Sequence, residues 1–75
     1  MNFDKELDVK GLNCPMPIMK AKKALSEMAA GTVLKIVATD PDTKKDFIAF
    51  SKQTGNEILS TSEGSGEFIY YVKKK

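Results

Sequence analysis

The sequence predicts a small α+β protein, a two-layer sandwich in which two helices cover one face of a four-stranded mixed sheet. Three observations support this fold class. Glycine and proline divide the chain into elements in the order β-α-β-α-β-β. The two β-α-β crossovers are expected to be right-handed, and the last strand is apolar on both faces. At 75 residues the chain is expected to form a single domain spanning residues 1–75.

The first strand and the first helix are predicted from hydrophobic spacing. Lys5–Lys10 alternates in polarity, which predicts a short edge strand that ends at Gly11. Apolar residues then recur every three or four positions, so we predict a helix over Pro15–Ala30 that stops at Gly31. Its predicted inner face consists of Ile18, Ala21, Leu25, Met28 and Ala29.

The residue pattern in the second half of the chain predicts one strand, one helix and a hairpin. Val33–Thr39 is a β-branched strand, after which Asp40 is a predicted N-cap and Pro41 the first helical residue. This helix ends at Gly55. The strands and turn that follow are Asn56–Glu63, Gly64-Ser65-Gly66 and Glu67–Lys73. The residues of the second helix predicted to face inward are Phe47, Phe50, Ser51 and Thr54.

The crossovers and the hairpin together predict the strand order. Right-handed connections make the first three strands parallel, and the hairpin places the fourth strand beside the third. Residues 68–72 are apolar on both faces, which favours a central fourth strand and the order 1-2-4-3. One sheet face then lacks helices and carries Val33 and Val37. This open face is either an ordinary amphipathic surface or a partner interface.

Composition excludes several classes of protein. A single cysteine without histidine excludes an internal disulfide and a zinc module, so we expect no metal and no cofactor. The cysteine usage indicates a reducing cytoplasm, and no apolar run reaches the roughly 20 residues of a membrane span. The net charge of +2 suits acidic partners without requiring nucleic acid. We expect a monomer with no stable nucleic-acid binding and no membrane insertion.

Cys14 is the candidate catalytic residue, because it lies where the first strand passes into the first helix. The carboxyl ends of parallel strands meet at one edge of a sheet, so Cys14 and Asp40 should be neighbours there. With Pro15 as the first helical residue, Cys14 is the predicted N-cap, and the Met16 N–H is the donor able to point back at the sulfur. The helix dipole should then lower the pKa of the thiol.

The residues around Cys14 are predicted to form a rigid loop and a docking surface. Gly11, Pro15 and Pro17 shape the loop, because proline also restrains the residue before it. The predicted partner-docking residues are Met16, Met19, Lys20, Lys23 and Asp40. The competing interpretation makes the cysteine a small buried hydrophobe, the methionines core fillers and the lysines a solvated helix face.

The missing residue types restrict the chemistry of Cys14. A cysteine hydrolase needs a general base, and the chain has no histidine. A dithiol oxidoreductase needs a second cysteine, which is also missing. The remaining reaction is one in which the thiolate receives a sulfur atom from another protein and passes it on.

Two stretches of the chain resemble the TusA family, also called SirA-like proteins. They are "LDVKGLNCPMPIMKAKKAL" (7–25), which contains Cys-Pro-x-Pro, and "ATDPDTKKDFIAFSKQTGNEIL" (38–59). The resemblance implies a sandwich like the C-terminal domain of bacterial translation initiation factor three. It also implies that Cys14 bears a persulfide and that Pro15 and Pro17 shape its loop. Some relatives have a second cysteine where this chain has Ser51, which argues against a two-thiol mechanism here.

The resemblance also implies partners. The expected donor is a cysteine desulfurase or a rhodanese, and the expected acceptor is a DsrE-like or similar protein. The protein would then be a sulfurtransferase without small-molecule turnover of its own, serving tRNA 2-thiolation, molybdenum cofactor synthesis, thiosulfate use or sulfur oxidation. Two alternatives from other classes remain open, a nucleic-acid-binding module and a thiol-based regulatory protein.

Overall fold

The computed structural model describes residues 2–75 and has the predicted element order, β-α-β-α-β-β. The boundaries agree with the predictions within a few residues, except at the end of the first helix and the start of the second. The elements are β1 (Lys5–Val9), α1 (Met16–Ser26), β2 (Val33–Ala38), α2 (Thr43–Thr54), β3 (Glu57–Gly64) and β4 (Glu67–Lys73).

The four strands form one mixed sheet in the order β1-β2-β4-β3, as predicted. β1 pairs with β2 in parallel, whereas β4 is antiparallel to both β2 and β3. The turn between β3 and β4 has positive φ at Ser65 (54°) and Gly66 (77°), a combination found in type I′ hairpin turns. β1 and β3 are therefore the edge strands, and the apolar strand β4 is central.

The core lies between the sheet and the two helices. β2 contributes Leu34, Ile36 and Ala38, all fully buried, and β4 contributes Tyr70 and Val72. These side chains pack against α1 and α2, because alternate residues of a strand point to the same face. The helix residues in this core are Ala21, Ala24, Leu25, Phe47 and Phe50.

The first helix is shorter than predicted, so the prediction that Gly31 stops it is wrong. α1 ends at Ser26, after which Glu27 N–H donates to the Ala24 carbonyl (3.2 Å) in the tighter bonding of a helix end. Gly31 has φ of +88° but lies beyond this end, and its N–H donates to the carbonyl of Lys74 at 2.8 Å. Ala29 is consequently exposed, contrary to prediction.

The second helix also starts later than predicted. Asp42, and not Asp40, occupies the N-cap position of α2, and Pro41 lies in the turn before the helix. This turn is closed by Asp40, whose carbonyl accepts the Thr43 N–H at 3.0 Å. The inward residues of α2 follow the prediction, since Phe47 and Phe50 are buried while Ser51 and Thr54 are half-buried.

The open sheet face is partly covered by the segment before β1. Val33 and Val37 lie opposite the core residues of β2, as predicted, although Val37 is only 7% exposed. Phe3 contacts Tyr71 of β4, with 6.3 Å between ring centroids, and the Lys35 Nζ lies 5.2 Å from the centre of the Phe3 ring. Phe3, Lys35 and Tyr71 therefore form a small cluster on the open face, over the two central strands β2 and β4.

Candidate functional site

Cys14 is an exposed thiol in the loop between β1 and α1. Its backbone N–H donates a hydrogen bond to Oδ2 of Asp40, at 3.0 Å. The predicted meeting of these two residues is thereby confirmed, because β1 and β2 are parallel and their carboxyl ends share one edge of the sheet. The exposure of the sulfur contradicts the competing interpretation of Cys14 as a buried hydrophobe.

Asp40 connects the cysteine loop with the start of α2. Besides the bond from Cys14, its Oδ1 accepts the Asp42 N–H at 3.0 Å. Its carbonyl oxygen accepts the Thr43 N–H at 3.0 Å and the Thr43 Oγ1 hydroxyl at 2.7 Å. Both carboxylate oxygens are thus used inside the protein. Asp40 was predicted to be a docking residue, and the structure shows it bonded to backbone groups on both sides.

Gly11 lies in a turn that requires glycine. Its φ is +80°, a conformation that side chains with a Cβ rarely adopt. Its N–H donates to Oγ1 of Thr39 at 2.8 Å, and the next N–H, of Leu12, donates to the Val9 carbonyl at 3.2 Å. The β1 end of the cysteine loop is therefore joined to the end of β2 at a second point.

The prediction that Cys14 is the N-cap of α1 is wrong by one residue. Pro15 occupies that position, and Pro17 is the second helical residue and is buried. The Met16 N–H, expected to point at the sulfur, instead donates to the carbonyl of Asn13 at 2.9 Å. Because Cys14 precedes the cap, its sulfur receives no hydrogen bond from the first turn of α1.

The prediction of a lowered thiol pKa is also contradicted. The pKa of Cys14 is raised above its ordinary value, chiefly because the nearby Asp46 carboxylate can accept a hydrogen bond from the thiol and so favours its protonated form. Loss of some hydration and the negative charges of Asp46, Asp40 and Asp42 add to the effect. Asp42 and Asp46 were missed in the sequence, although their spacing of four residues at a predicted helix start places them on one side of it. The acidic start of α2 therefore shifts the pKa of the thiol in the direction opposite to the shift predicted from the dipole of α1.

The other predicted docking residues form an exposed side of α1. Met16 and Met19 are 40% and 56% exposed, so two large apolar residues lie together on the surface of α1. Lys20 and Lys23 are exposed on the same helix. We refer to these four residues as the α1 face. Cys14 thus has the acidic start of α2 on one side and a partly apolar, basic helix surface on the other.

Cys14 lines neither of two depressions in the protein surface. One, of about 170 Å³, is lined by Lys44, Thr61, Ser62, Glu63, Phe68 and Tyr70. The other, of about 160 Å³, lies between β1 and α1. An exposed thiol outside a cavity suits a reaction with a group on another protein better than binding of a small molecule.

Two negative findings apply to residues 2–75, the part of the chain that the structure describes. In that range no helix is long and apolar enough to cross a membrane. The same residues contain no group of three or more acidic, cysteine or histidine side chains placed to hold a metal ion.

Known proteins resemble this chain over nearly its whole length. It is 55% identical over 73 residues to the sulfur carrier protein TusA of Allochromatium vinosum, covering 97% of this chain and 96% of that protein. It is 46% identical to the sulfur carrier protein TusA of Pseudomonas entomophila, with coverage of 96% and 90%. The crystal structure of a SirA-like protein from Desulfitobacterium hafniense has the same fold, with a TM-score of 0.83 at 22% identity and coverage of 93% and 96%. Because residues 5–74 also match the family described as Sulfurtransferase TusA, the chain belongs to that family.

Proposed function

We propose that this protein carries sulfane sulfur as a persulfide on Cys14, between a protein donor and a protein acceptor. The observation that supports this most directly is the exposure of the single thiol in a loop that is hydrogen-bonded to Thr39 and Asp40, in the connection between β2 and α2. Membership of a sulfurtransferase family and the sulfur carrier names of the relatives point the same way.

The transfer is an exchange at sulfur. The Cys14 thiol first loses its proton, and the thiolate attacks the outer sulfur of a persulfide on the donor. A sulfur–sulfur bond forms to Cys14, the donor's own bond breaks, and the donor cysteine leaves as a thiolate. In the second half an acceptor thiolate attacks the outer sulfur of the Cys14 persulfide. No oxidant or reductant is consumed in either half.

We propose a cysteine desulfurase or a rhodanese as the donor, because both classes present a persulfide on a cysteine. A DsrE-like or similar protein is the proposed acceptor. The α1 face is the proposed docking surface, since methionine side chains repack easily against partners of different shape. Lys20 and Lys23 would speed association with acidic surfaces. An exposed free thiol also suits the reducing cytoplasm, which is the compartment we propose.

The raised pKa of Cys14 argues against the regulatory alternative. Peroxide and similar oxidants react with the thiolate, so a redox sensor benefits from a lowered pKa. Here neighbouring carboxylates raise the pKa of the thiol. Attack on a donor persulfide also needs the thiolate, so we propose that Cys14 loses its proton within the complex with the donor.

Intact-protein mass spectrometry tests the proposal. The protein is incubated with a cysteine desulfurase and its substrate, or with a persulfide-loaded rhodanese, and then freed of small molecules. We expect the mass to increase by one sulfur atom, with the increase reversed by a reducing agent. Cys14→Ser is the matched control and should gain nothing. Equal sulfur uptake by Cys14→Ser would overturn the proposal.

A further inference from the structure

A groove between β1 and α1 adjoins the α1 face. Its volume is about 160 Å³, and Leu7 and Ala24 supply the apolar part of its lining. Leu7 is half-buried and Ala24 is buried, so the groove opens onto the edge of the hydrophobic core. The charged residues of its lining are Lys5, Lys20, Lys23 and Glu27.

The charge of this groove is unbalanced. Lys5 Nζ lies 3.7 Å from Oε1 of Glu27. Glu27 is the only acidic residue of the groove lining, so its carboxylate is already paired with Lys5. Within residues 2–75, neither Lys20 nor Lys23 has a carboxylate at ion-pair distance. Two ammonium groups therefore border an apolar groove, an arrangement complementary to a segment that carries both carboxylates and an apolar side chain.

The groove also follows an unpaired strand edge. β1 pairs with β2 on one side only, because it is the first strand of the sheet. The outward backbone groups of an edge strand are available to a second extended chain. Addition of a strand at such an edge is a common way to bind a peptide, with side-chain pockets supplying specificity.

The position of the groove leaves the thiol accessible. Lys20 and Lys23 lie roughly 6 and 10 Å along the helix axis from Met16, at 1.5 Å per residue. Cys14 precedes Met16 by two residues, at the end of the helix away from Glu27. A segment bound in the groove would therefore hold a partner close to Cys14 without covering the sulfur.

We propose that this groove binds an acidic, extended segment of a protein partner in sulfur transfer. The segment lies along the outer edge of β1, with carboxylates on Lys20 and Lys23 and an apolar side chain against Leu7 and Ala24. This inference rests on the proposed carrier function. Binding in the groove raises the effective concentration of the partner's reacting sulfur at Cys14. Nucleic acid fits less well, because the lining has no aromatic side chain for base stacking.

A peptide-binding experiment tests the inference separately from sulfur transfer. The probe is a fluorescein-labelled peptide that alternates aspartate and leucine, and its matched control has asparagine in place of every aspartate. We expect saturable, salt-sensitive binding of the acidic probe and amide NMR shifts concentrated at Leu7 and Ala24. Lys20→Glu with Lys23→Glu should weaken binding of the acidic probe, with an increase of about tenfold in the dissociation constant. The matched protein control is Lys22→Glu with Lys45→Glu, which changes two exposed lysines outside the groove.

Three outcomes would overturn the inference. Equal binding of the asparagine peptide would show that carboxylates are not recognised. Equal loss in the control protein variant would show diffuse attraction to a basic protein. Stronger binding of a single-stranded oligothymidine, with shifts at the same amides, would make phosphate the ligand. Cys14→Ser should bind the acidic peptide normally, so failure of the groove proposal and failure of the persulfide proposal are distinguishable.

Discussion

The backbone N–H of Cys14 donates a 3.0 Å hydrogen bond to Oδ2 of Asp40, a residue 26 positions further along the chain. The other carboxylate oxygen of Asp40 accepts the Asp42 N–H. One side chain thus holds the cysteine loop and the start of α2 in a fixed relation. The orientation of Cys14 depends on this contact between two loops, in addition to the prolines that follow it.

Asp40→Asn should loosen the cysteine loop. Each carboxylate oxygen of Asp40 accepts one backbone N–H, from Cys14 or from Asp42, whereas the NH₂ group of asparagine is a donor and cannot accept either of them. We expect the free energy of unfolding in urea to fall by about 1 kcal/mol. The Cys14 amide should exchange faster with solvent, and sulfur transfer should slow. Asp8→Asn is the control, since Asp8 also accepts a backbone N–H, from Lys10, but only within its own turn. An unchanged transfer rate and unchanged Cys14 exchange in Asp40→Asn would contradict this role.

Asp46→Asn should make Cys14 more reactive toward alkylating agents. The Asp46 carboxylate stabilises the thiol by hydrogen bonding and opposes the thiolate by its charge, so its removal lowers the pKa of Cys14. The alkylation rate of the unmodified protein should therefore rise with pH around a midpoint above the ordinary cysteine value. In Asp46→Asn this midpoint should move down, and alkylation near neutral pH should be faster.

Glu57→Gln supplies the control for Asp46→Asn, because it removes one negative charge at the exposed start of β3. Its alkylation profile should match that of the unmodified protein. A midpoint at or below the ordinary cysteine value in the unmodified protein would mean that the carboxylates of α2 do not govern the thiol.

Lys20→Glu with Lys23→Glu should slow sulfur transfer between proteins strongly at low ionic strength. The effect should shrink as salt is added, because electrostatic steering is screened. The Cys14 alkylation rate should stay nearly unchanged, since the substitution does not alter the thiol itself. The matched control is Lys22→Glu with Lys52→Glu, since Lys52 is exposed in the last turn of α2, away from Asp46. A normal transfer rate of the Lys20→Glu, Lys23→Glu variant at low salt would mean that these lysines only form a solvated helix face and take no part in docking.

Met16→Asp should impair sulfur transfer at every salt concentration. Met16 is 40% exposed and lies two residues after Cys14, so it would be buried in any complex that brings a partner's sulfur to this thiol. An aspartate there would lose its hydration in the complex. Ile48→Asp is the control, because Ile48 is similarly exposed, at 42%, on α2. Normal transfer by Met16→Asp would place docking elsewhere, at the turn that contains Asp40 or on the open sheet.

Hydrophobic patterning in the sequence was sufficient to predict the architecture. Residues 68–72 are apolar on both faces, which predicts a central strand, and β4 is central. Lys5–Val9 is short and charged, which predicts an edge strand, and β1 lies at an edge. The contact between Cys14 and Asp40 was predictable for the same reason, because parallel strands bring their carboxyl ends together. These features depend on the periodicity of apolar residues and on the order of the elements, and both can be determined from the sequence.

The end of α1 and the pKa of Cys14 were decided by contacts between distant segments. Gly31 pairs with Lys74, so the glycine that was expected to stop the helix belongs to the connection that follows it. The dipole of α1 was the local influence on Cys14 that the sequence showed, and it favours the thiolate. The fold adds Asp46 from α2, whose hydrogen bond and charge favour the thiol. Electrostatic effects depend on distances in space, and these distances are set only when the cysteine loop meets the start of α2.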